Sequence, residues 1–327
     1  MAFVVALVVA LVATPLVASF ARRVGIVDAT GPLKTHRRPV AYLGGVVVFA
    51  GLVVGTVAVD RIVLLVPLVL ALALGIVDDL RPISPTARLV AECGLGVVAG
   101  LAVPGDPVVR LATAGIVIVL VNAVNLLDGQ DGLAAAVGAV SAFGFAVLGG
   151  DAWSYGLALT GALVGFLVYN LPPARIYLGD GGAYLLGTAL ALAPALTLVG
   201  TAGGSSGLGS SGLDASGTWS VLLATPLLVA VPLADTPIAV IRRPRAGHPL
   251  FAGDRSHVYD QLVDRGWTVR GSTVVLALAQ VALTSAGVIA AGLGALGALV
   301  CTLCGVAVVT IVTVRGGFVG WAADREE

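Results

Sequence analysis

Several acidic and amide side chains in this sequence fall at spacings suited to handling a phosphorylated ligand. Asp78 and Asp79 are adjacent in GIVDDLRP. Neighbouring carboxylates repel each other and lose solvation near a membrane, so the pair points to a bound cation or a shared proton. Hard oxygen donors favour Mg2+, with Mn2+ also suited. On a helix the two point about 100° apart, which leaves one of them to ligate directly. A solvated helix end is the plainer reading. Asn122, Asn125, Asp128 and Asp131 form NAVNLLDGQDG. The asparagines share one helical face, where a polar group meets a cavity or a partner helix. Asp128 reads equally as a helix cap. In YNLPPARIYLGDGG, the run Gly179-Asp180-Gly181-Gly182 opens an apolar stretch. Glycines let a backbone approach a ligand, and a helix starting there would offer free amides to phosphate. Asp180 is then a metal ligand beside those phosphates, or simply an N-cap.

Basic groups collect in two segments. The stretch from Arg242 to Arg270 carries Arg242, Arg243, Arg245, His248, Arg255 and His257, with Val258, Leu262 and Val263 suggesting a short amphipathic helix. Arg242 and Arg243 directly follow an apolar run and read as a topogenic signal, whereas the His257 cluster suits a diphosphate or an anionic head group. Lys34 is the one lysine among 18 basic residues, and it lies in KTHRRPV ahead of Gly44-Gly45. A lysine kept amid such arginine bias suggests that a compact ammonium is needed. Glu92, four residues after Arg88, suits an intrahelical pair, and Asp235 sits near the end of an apolar run. Both read as support for the site rather than chemistry. Cys93, Cys301 and Cys304 lie in apolar runs and read as packing residues.

The elements that position these groups follow from composition. The chain of 327 residues is 58% hydrophobic and 11% charged, with formal net charge zero. A soluble globule of this length could not hide so much apolar side chain, which excludes a soluble enzyme and a nucleic-acid binder. The expected fold is an all-α polytopic membrane protein. Eleven transmembrane helices are expected near 2–20, 42–59, 62–77, 86–103, 110–126, 132–149, 152–170, 182–200, 219–241, 271–293 and 295–314. The first lacks a basic leader and is expected to stay attached, N-terminus outside, which leaves the C-terminus cytoplasmic. On that reading 16 of 18 Lys and Arg residues lie on one side, leaving Arg61 and Arg110 on the other. The positive-inside rule makes the richer side cytoplasmic. Most of the chemically suggestive acids share it, in loops near 21–41, 78–85, 127–131, 171–181 and 242–270. No internal repeat appears, and residues 1–327 read as one transmembrane catalytic domain.

KTHRRPVAYLGG at 34–45, VDD at 77–79, NAVNLLDGQDGL at 122–133, NLPPARIYLGD at 170–180 and DRSHVYDQL at 254–262 together resemble the polyprenyl-phosphate N-acetylhexosamine-1-phosphate transferases, the glycosyltransferase family 4 that includes the WecA-like enzymes and MraY. The five motifs run in order over roughly 70% of the chain. The resemblance implies transfer of a sugar-1-phosphate from a UDP-sugar to a polyprenyl phosphate, with Mg2+, giving polyprenyl-diphosphate-sugar and UMP. It implies a bacterial plasma membrane, an early step of envelope-glycan synthesis, and a homodimer as a form known in the family. Carried over by position, Asp180, Asp78 and Asp79 are similar to the metal-binding and catalytic acids, and one of the pair to a proton acceptor. Asn170, Asp128 and Asp131 are similar to nucleotide-side contacts, with Asn122, Asn125 and His248 nearby. Lys34 is similar to the lysine near uridine and phosphates, and His257 with Arg255 to the histidine-loop contact to diphosphate. The chain departs from the family at Tyr259, where a second histidine is common, and it lacks the triple histidine of MraY. That places it closer to the WecA-like branch. Two other classes would leave different marks. A transporter would set its acids at mid-membrane and show repeats, and an inactive scaffold would keep the fold without turnover.

Overall fold

The structure is a computed structural model, and it describes residues 1–28, 39–199, 215–245, 247 and 256–319. Lys34, His248 and Arg255 lie outside the described residues. Among those described the chain is all-α apart from one two-stranded ribbon. Helix α1 (Ala2–Val24) is followed by strands β1 (Val27–Asp28) and β2 (Val40–Ala41), which pair antiparallel with Val27 opposite Ala41. Then come α2 (Gly44–Ala58), a 3-10 turn, α3 (Leu65–Leu80), α4 (Pro85–Ala102), α5 (Pro107–Leu127), α6 (Leu133–Leu148), α7 (Ala152–Asn170) and α8 (Gly179–Thr197). The remainder is α9 (Ala215–Leu228), α10 (Ala230–Arg245), α11 (Val258–Asp264), α12 (Val269–Ala291) and α13 (Gly294–Arg315).

Local chemistry sets the helix ends. Ser84 and Asp106 each precede a proline at the first helical position and accept from an amide three residues on, Ala87 and Val109. The oxygen satisfies one orphan donor, and proline is tolerated where no N–H is needed. Thr268 caps α12 in the same way through Gly271.

Side chains sort by size rather than by polarity. Helix α1 buries Ala6, Ala10, Thr14, Ala18 and Ala21, four or so residues apart, and turns Val8, Val12, Leu16 and Phe20 outward. Leu111 is 76% exposed and α13 presents an almost wholly apolar surface. In water such a surface would aggregate; in hydrocarbon, where large apolar groups gain nothing by hiding, small residues at the contacts let helices approach closely. Seven helices among the described residues are long and apolar enough to cross a membrane, or eight with the bent pair α9–α10; α2 and α6 are shorter apolar helices. Helix α8 sits at the centre of the bundle, buried along nearly its whole length against α2, α3, α5 and α6. Gly187 in α8 admits the backbone of Leu120 and Val121, and Gly75 in α3 faces the backbone of Asp180 so closely that any Cβ would collide.

The single span expected over 219–241 is instead two helices bent by 66° at Val229. Pro226 and Pro232 flank the break, and a proline removes a backbone donor. Buried Gln280 of α12 repairs the gap: its Oε1 accepts from Val231 N–H at 2.9 Å and its Nε2 donates to Leu228 O at 2.9 Å. Within a membrane such freed backbone groups must find a protein partner.

Candidate active site

The loops and helix ends that carry the motifs meet at one end of the bundle, around the first turn of α8. Asp79, at the end of α3, accepts from Asp180 N–H through Oδ1 at 3.0 Å and from Gly181 N–H through Oδ2 at 3.1 Å. Asp128, at the C-terminal end of α5, lies beside the Gly179 amide. Two successive amides of α8 are therefore taken by one carboxylate from another helix. This corrects the expectation that these amides would be free for phosphate: buried N–H groups take the nearest acceptor, and a carboxylate at a helix N-terminus is favoured by the dipole. It also removes the N-cap reading of Asp180, since Asp79 caps α8 from α3. Asp180 lies in the first turn, its carboxylate without a hydrogen bond to another described residue and close enough to Asp79 and Asp78 to feel both charges. Gly179 holds φ of 76°, a left-handed backbone with Asp79 Oδ2 only 2.9 Å from where a Cβ would sit.

Asp78 is held differently. Its Oδ1 accepts from Ile83 N–H at 2.7 Å, its Oδ2 from the Tyr184 hydroxyl at 2.6 Å, and Arg88 lies 3.6 Å from Oδ2. Arg88 also reaches Glu92 at 3.8 Å, the i,i+4 pair expected. Glu92, 1% exposed, accepts from Asn122 Nδ2 at 2.5 Å, so Asn122 faces a partner helix rather than an open cavity. Asn125, one turn on, is half-buried.

Asp131 and Asn170 brace the loop between α7 and α8. Asp131 Oδ2 accepts from Ala174 N–H at 2.9 Å, and Asn170 Nδ2 donates to Ile176 O at 2.9 Å. Asp128 is pushed well above the ordinary carboxylate range by burial first, then by the negative charges of Asp180, Asp79 and Asp131; the Gly179 amide opposes this. A site with this many close carboxylates suits a cation.

The expected short helix near Val258 is α11, but Val258, Leu262 and Val263 are only half-buried. The inward residues are Tyr259 and Gln261, whose Nε2 donates to Ser256 O and Phe318 O, both at 2.9 Å. His257 opens α11. Its Nδ1 lies 2.5 Å from Asp235 Oδ2 and its ring stacks on Tyr259, centroids 5.4 Å apart. The Tyr259 hydroxyl donates to Leu126 O at 3.3 Å and lies against Gly129, where a Cβ would collide with it. Tyr259 thus links the histidine segment to the Asp128 turn. In the sequence Tyr259 stands only as a departure from the family pattern, with the glycine beside Asp128 as a hint of its packing. Arg242 and Arg243, near the end of α10, are buried within the protein at 0% and 7% exposed. The three cysteines are free, Cys93 and Cys304 exposed on the apolar surface.

The donor types fit a hard divalent cation, but no three carboxylates, imidazoles or thiols converge as a ready ligand set among the described residues. Mg2+ commonly binds through one or two carboxylates and keeps several waters, and Asp180 offers such a ligand.

Residues 61–198 match the sequence model described as glycosyl transferase family 4. The match covers less than half of the chain, and it contains Asp78, Asp79, Asn122, Asn125, Asp128, Asp131, Asn170 and Asp180, while Lys34 and His257 lie outside it. The chain is 32% identical over 136 residues to decaprenyl-phosphate N-acetylglucosaminephosphotransferase of Mycobacterium tuberculosis (strain ATCC 25618 / H37Rv), which covers 40% of this chain and 32% of the relative. It is 32% identical over 125 residues to "Probable undecaprenyl-phosphate N-acetylglucosaminyl 1-phosphate transferase" of Bacillus subtilis (strain 168), 38% of this chain and 31% of the relative. Phospho-N-acetylmuramoyl-pentapeptide-transferase of Shouchella clausii (strain KSM-K16) is 42% identical over 71 residues, 19% of this chain and 21% of that protein. The chain spans about a third of the length of the first two relatives.

Proposed function

We propose that the protein is a polytopic membrane enzyme that transfers a sugar-1-phosphate, in the first instance N-acetylhexosamine-1-phosphate, from a UDP-sugar to a polyprenyl phosphate. An oxygen of the lipid phosphate attacks the β-phosphorus, the bond from that phosphorus to the oxygen bridging it to the α-phosphate breaks, and UMP leaves with that oxygen. The observation that carries the reading is the group of Asp79, Asp128 and Asp180 around the start of α8, inside the segment that matches family 4 and at one end of an apolar bundle. Phosphoryl transfer asks for charge neutralisation and in-line positioning rather than unusual side chains.

In this reading Asp180 holds Mg2+, which when bound neutralises charge on the diphosphate. Asp79 fixes the first turn of α8 and so aims Asp180. Asp78, held by Tyr184 and Arg88, sets the negative field beside it, and one of the Asp78–Asp79 pair takes a proton from any lipid phosphate that arrives protonated. Asp128, Asp131 and Asn170 line the nucleotide side with Asn122, Asn125 and His248 behind, Lys34 meets uridine or its phosphates, and His257 with Arg255 contacts the diphosphate. The whole chain acts as one catalytic domain in the bacterial plasma membrane, crosses it eleven times with its N-terminus outside, and works on its cytoplasmic face, where the soluble nucleotide is.

The test presents the purified protein with decaprenyl or undecaprenyl phosphate, Mg2+ and a panel of UDP-sugars, and follows UMP release. Release with a UDP-N-acetylhexosamine is expected, and none with any donor would sink the reading in favour of a silent scaffold. The similarity to a pentapeptide transferase over 71 residues supports a second donor, UDP-MurNAc-pentapeptide, which belongs in the panel.

A further inference from the structure

Asp235 and His257 meet on α10 and at the start of α11, 3% and 5% exposed. Asp235 Oδ2 lies 2.5 Å from His257 Nδ1, and its other oxygen, Oδ1, accepts from Val258 N–H at 3.0 Å. The His257 amide is fixed in turn by Asp260 Oδ2 at 3.2 Å, and the imidazole plane is held by Tyr259, stacked at an interplanar angle of 11°. Ring plane, ring height and one ring nitrogen are thus all set by named partners. An ionised carboxylate has no proton to give, so the proton between Oδ2 and the ring belongs to Nδ1.

We infer that Asp235 is a positioning residue that keeps one proton of His257 on Nδ1, so that Nε2 is the nitrogen turned to its ligand and, once the ring takes up a second proton, donates to an anionic oxygen. This rests on the proposed contact between His257 and the substrate diphosphate. Val258 N–H makes the arrangement one-way. In Asp235→Asn the amide oxygen is needed by Val258 N–H, which turns the amide NH2 toward Nδ1. Nδ1 must then accept, and the neutral ring carries its proton on Nε2 instead.

The chain has three histidines, so the full-length protein labelled with 15N-histidine gives a simple nitrogen spectrum, with His257 identified by its loss in His257→Gln. At alkaline pH, where imidazole is neutral, wild-type His257 is expected to show a protonated Nδ1 and a bare Nε2. Asp235→Asn is expected to exchange the two. A bare Nδ1 in the wild type would overturn the inference without recourse to any variant, and so would an unchanged tautomer in Asp235→Asn. Wild-type protein that releases no UMP from any donor would sink the transferase reading alone, because the nitrogen spectrum needs no turnover.

Discussion

Asp180 differs from its neighbours in what its carboxylate has left to do. Both oxygens of Asp79 are spent on amides of α8, and Asp78 is held by a hydroxyl, an amide and an arginine. The Asp180 carboxylate takes no such hydrogen bond, so removing its charge should leave the fold intact and the chemistry lost. Asp180→Asn is expected to lower UMP release by at least about 10²-fold while the thermal midpoint in detergent is kept. Normal turnover would sink the metal assignment. Asp128 makes the opposite case. Burial and three nearby carboxylates raise it, so its ionisation works against the folded state. The sign follows: a raised carboxyl means the folded state binds the proton more tightly, so stability falls as pH climbs from the unfolded value, about 4, through the higher folded one. Asn keeps an oxygen at the same place beside the Gly179 amide. Asp128→Asn should therefore raise the metal-free thermal midpoint at neutral pH, and the gain should fade as the pH is taken down toward 4, where the wild-type carboxyl is protonated as well. A variant less stable than wild type at pH 7 would contradict this. The metal role of Asp180 was legible in the sequence, but the capping of α8 by Asp79 was not, because Asp79 and Asp180 are 101 residues apart and the amides that Asp79 occupies carry no side-chain signal.

The helices themselves were readable where apolar length and a cap coincide. Ser84-Pro85 and Asp106-Pro107 mark two starts that the structure reproduces within a few residues of the expected spans. The span over 219–241 was not readable as broken, since its prolines are common in membrane helices and the repair comes from Gln280, far along the chain. That repair is testable. Gln280 touches Val231 N–H, Leu227 O, Leu228 O and the Thr284 hydroxyl, all buried. Gln280→Leu keeps the volume roughly and strands these groups, at about 1–3 kcal/mol for each one left unsatisfied. A lower thermal midpoint is expected, along with a lower kcat, because α10 carries Asp235. Gln280→Glu, which can still accept from Val231 N–H, should lose less. Equal stability of Gln280→Leu and wild type would mean that the bend is held by its prolines alone.

At the scale of the whole molecule, function depends on which side of the membrane the α8 end faces, because a soluble nucleotide reaches only one. The bundle has two ends of different character. One end gathers Asp78, Asp79, Asp128, Asp131 and Asp180, while the other has the Arg61–Asp151 pair, 3.0 Å apart and half-exposed. An exposed pair of that kind contributes about 0–1 kcal/mol and asks for no ligand. The 16-to-2 division of Lys and Arg that an eleven-span reading gives predicts that the α8 end stays in the cytoplasm. Pro82, between α3 and α4, and Leu293, between α12 and α13, are both exposed and belong to opposite ends. With Cys93, Cys301 and Cys304 replaced by alanine, Pro82→Cys and Leu293→Cys can be probed singly in intact cells with a membrane-impermeant maleimide. Leu293→Cys should label at once and Pro82→Cys only after the membrane is opened. The reverse pattern would put the carboxylates outside, away from any cytoplasmic UDP-sugar. The transferase reading would then fall on geometry alone, whatever the chemistry of Asp180.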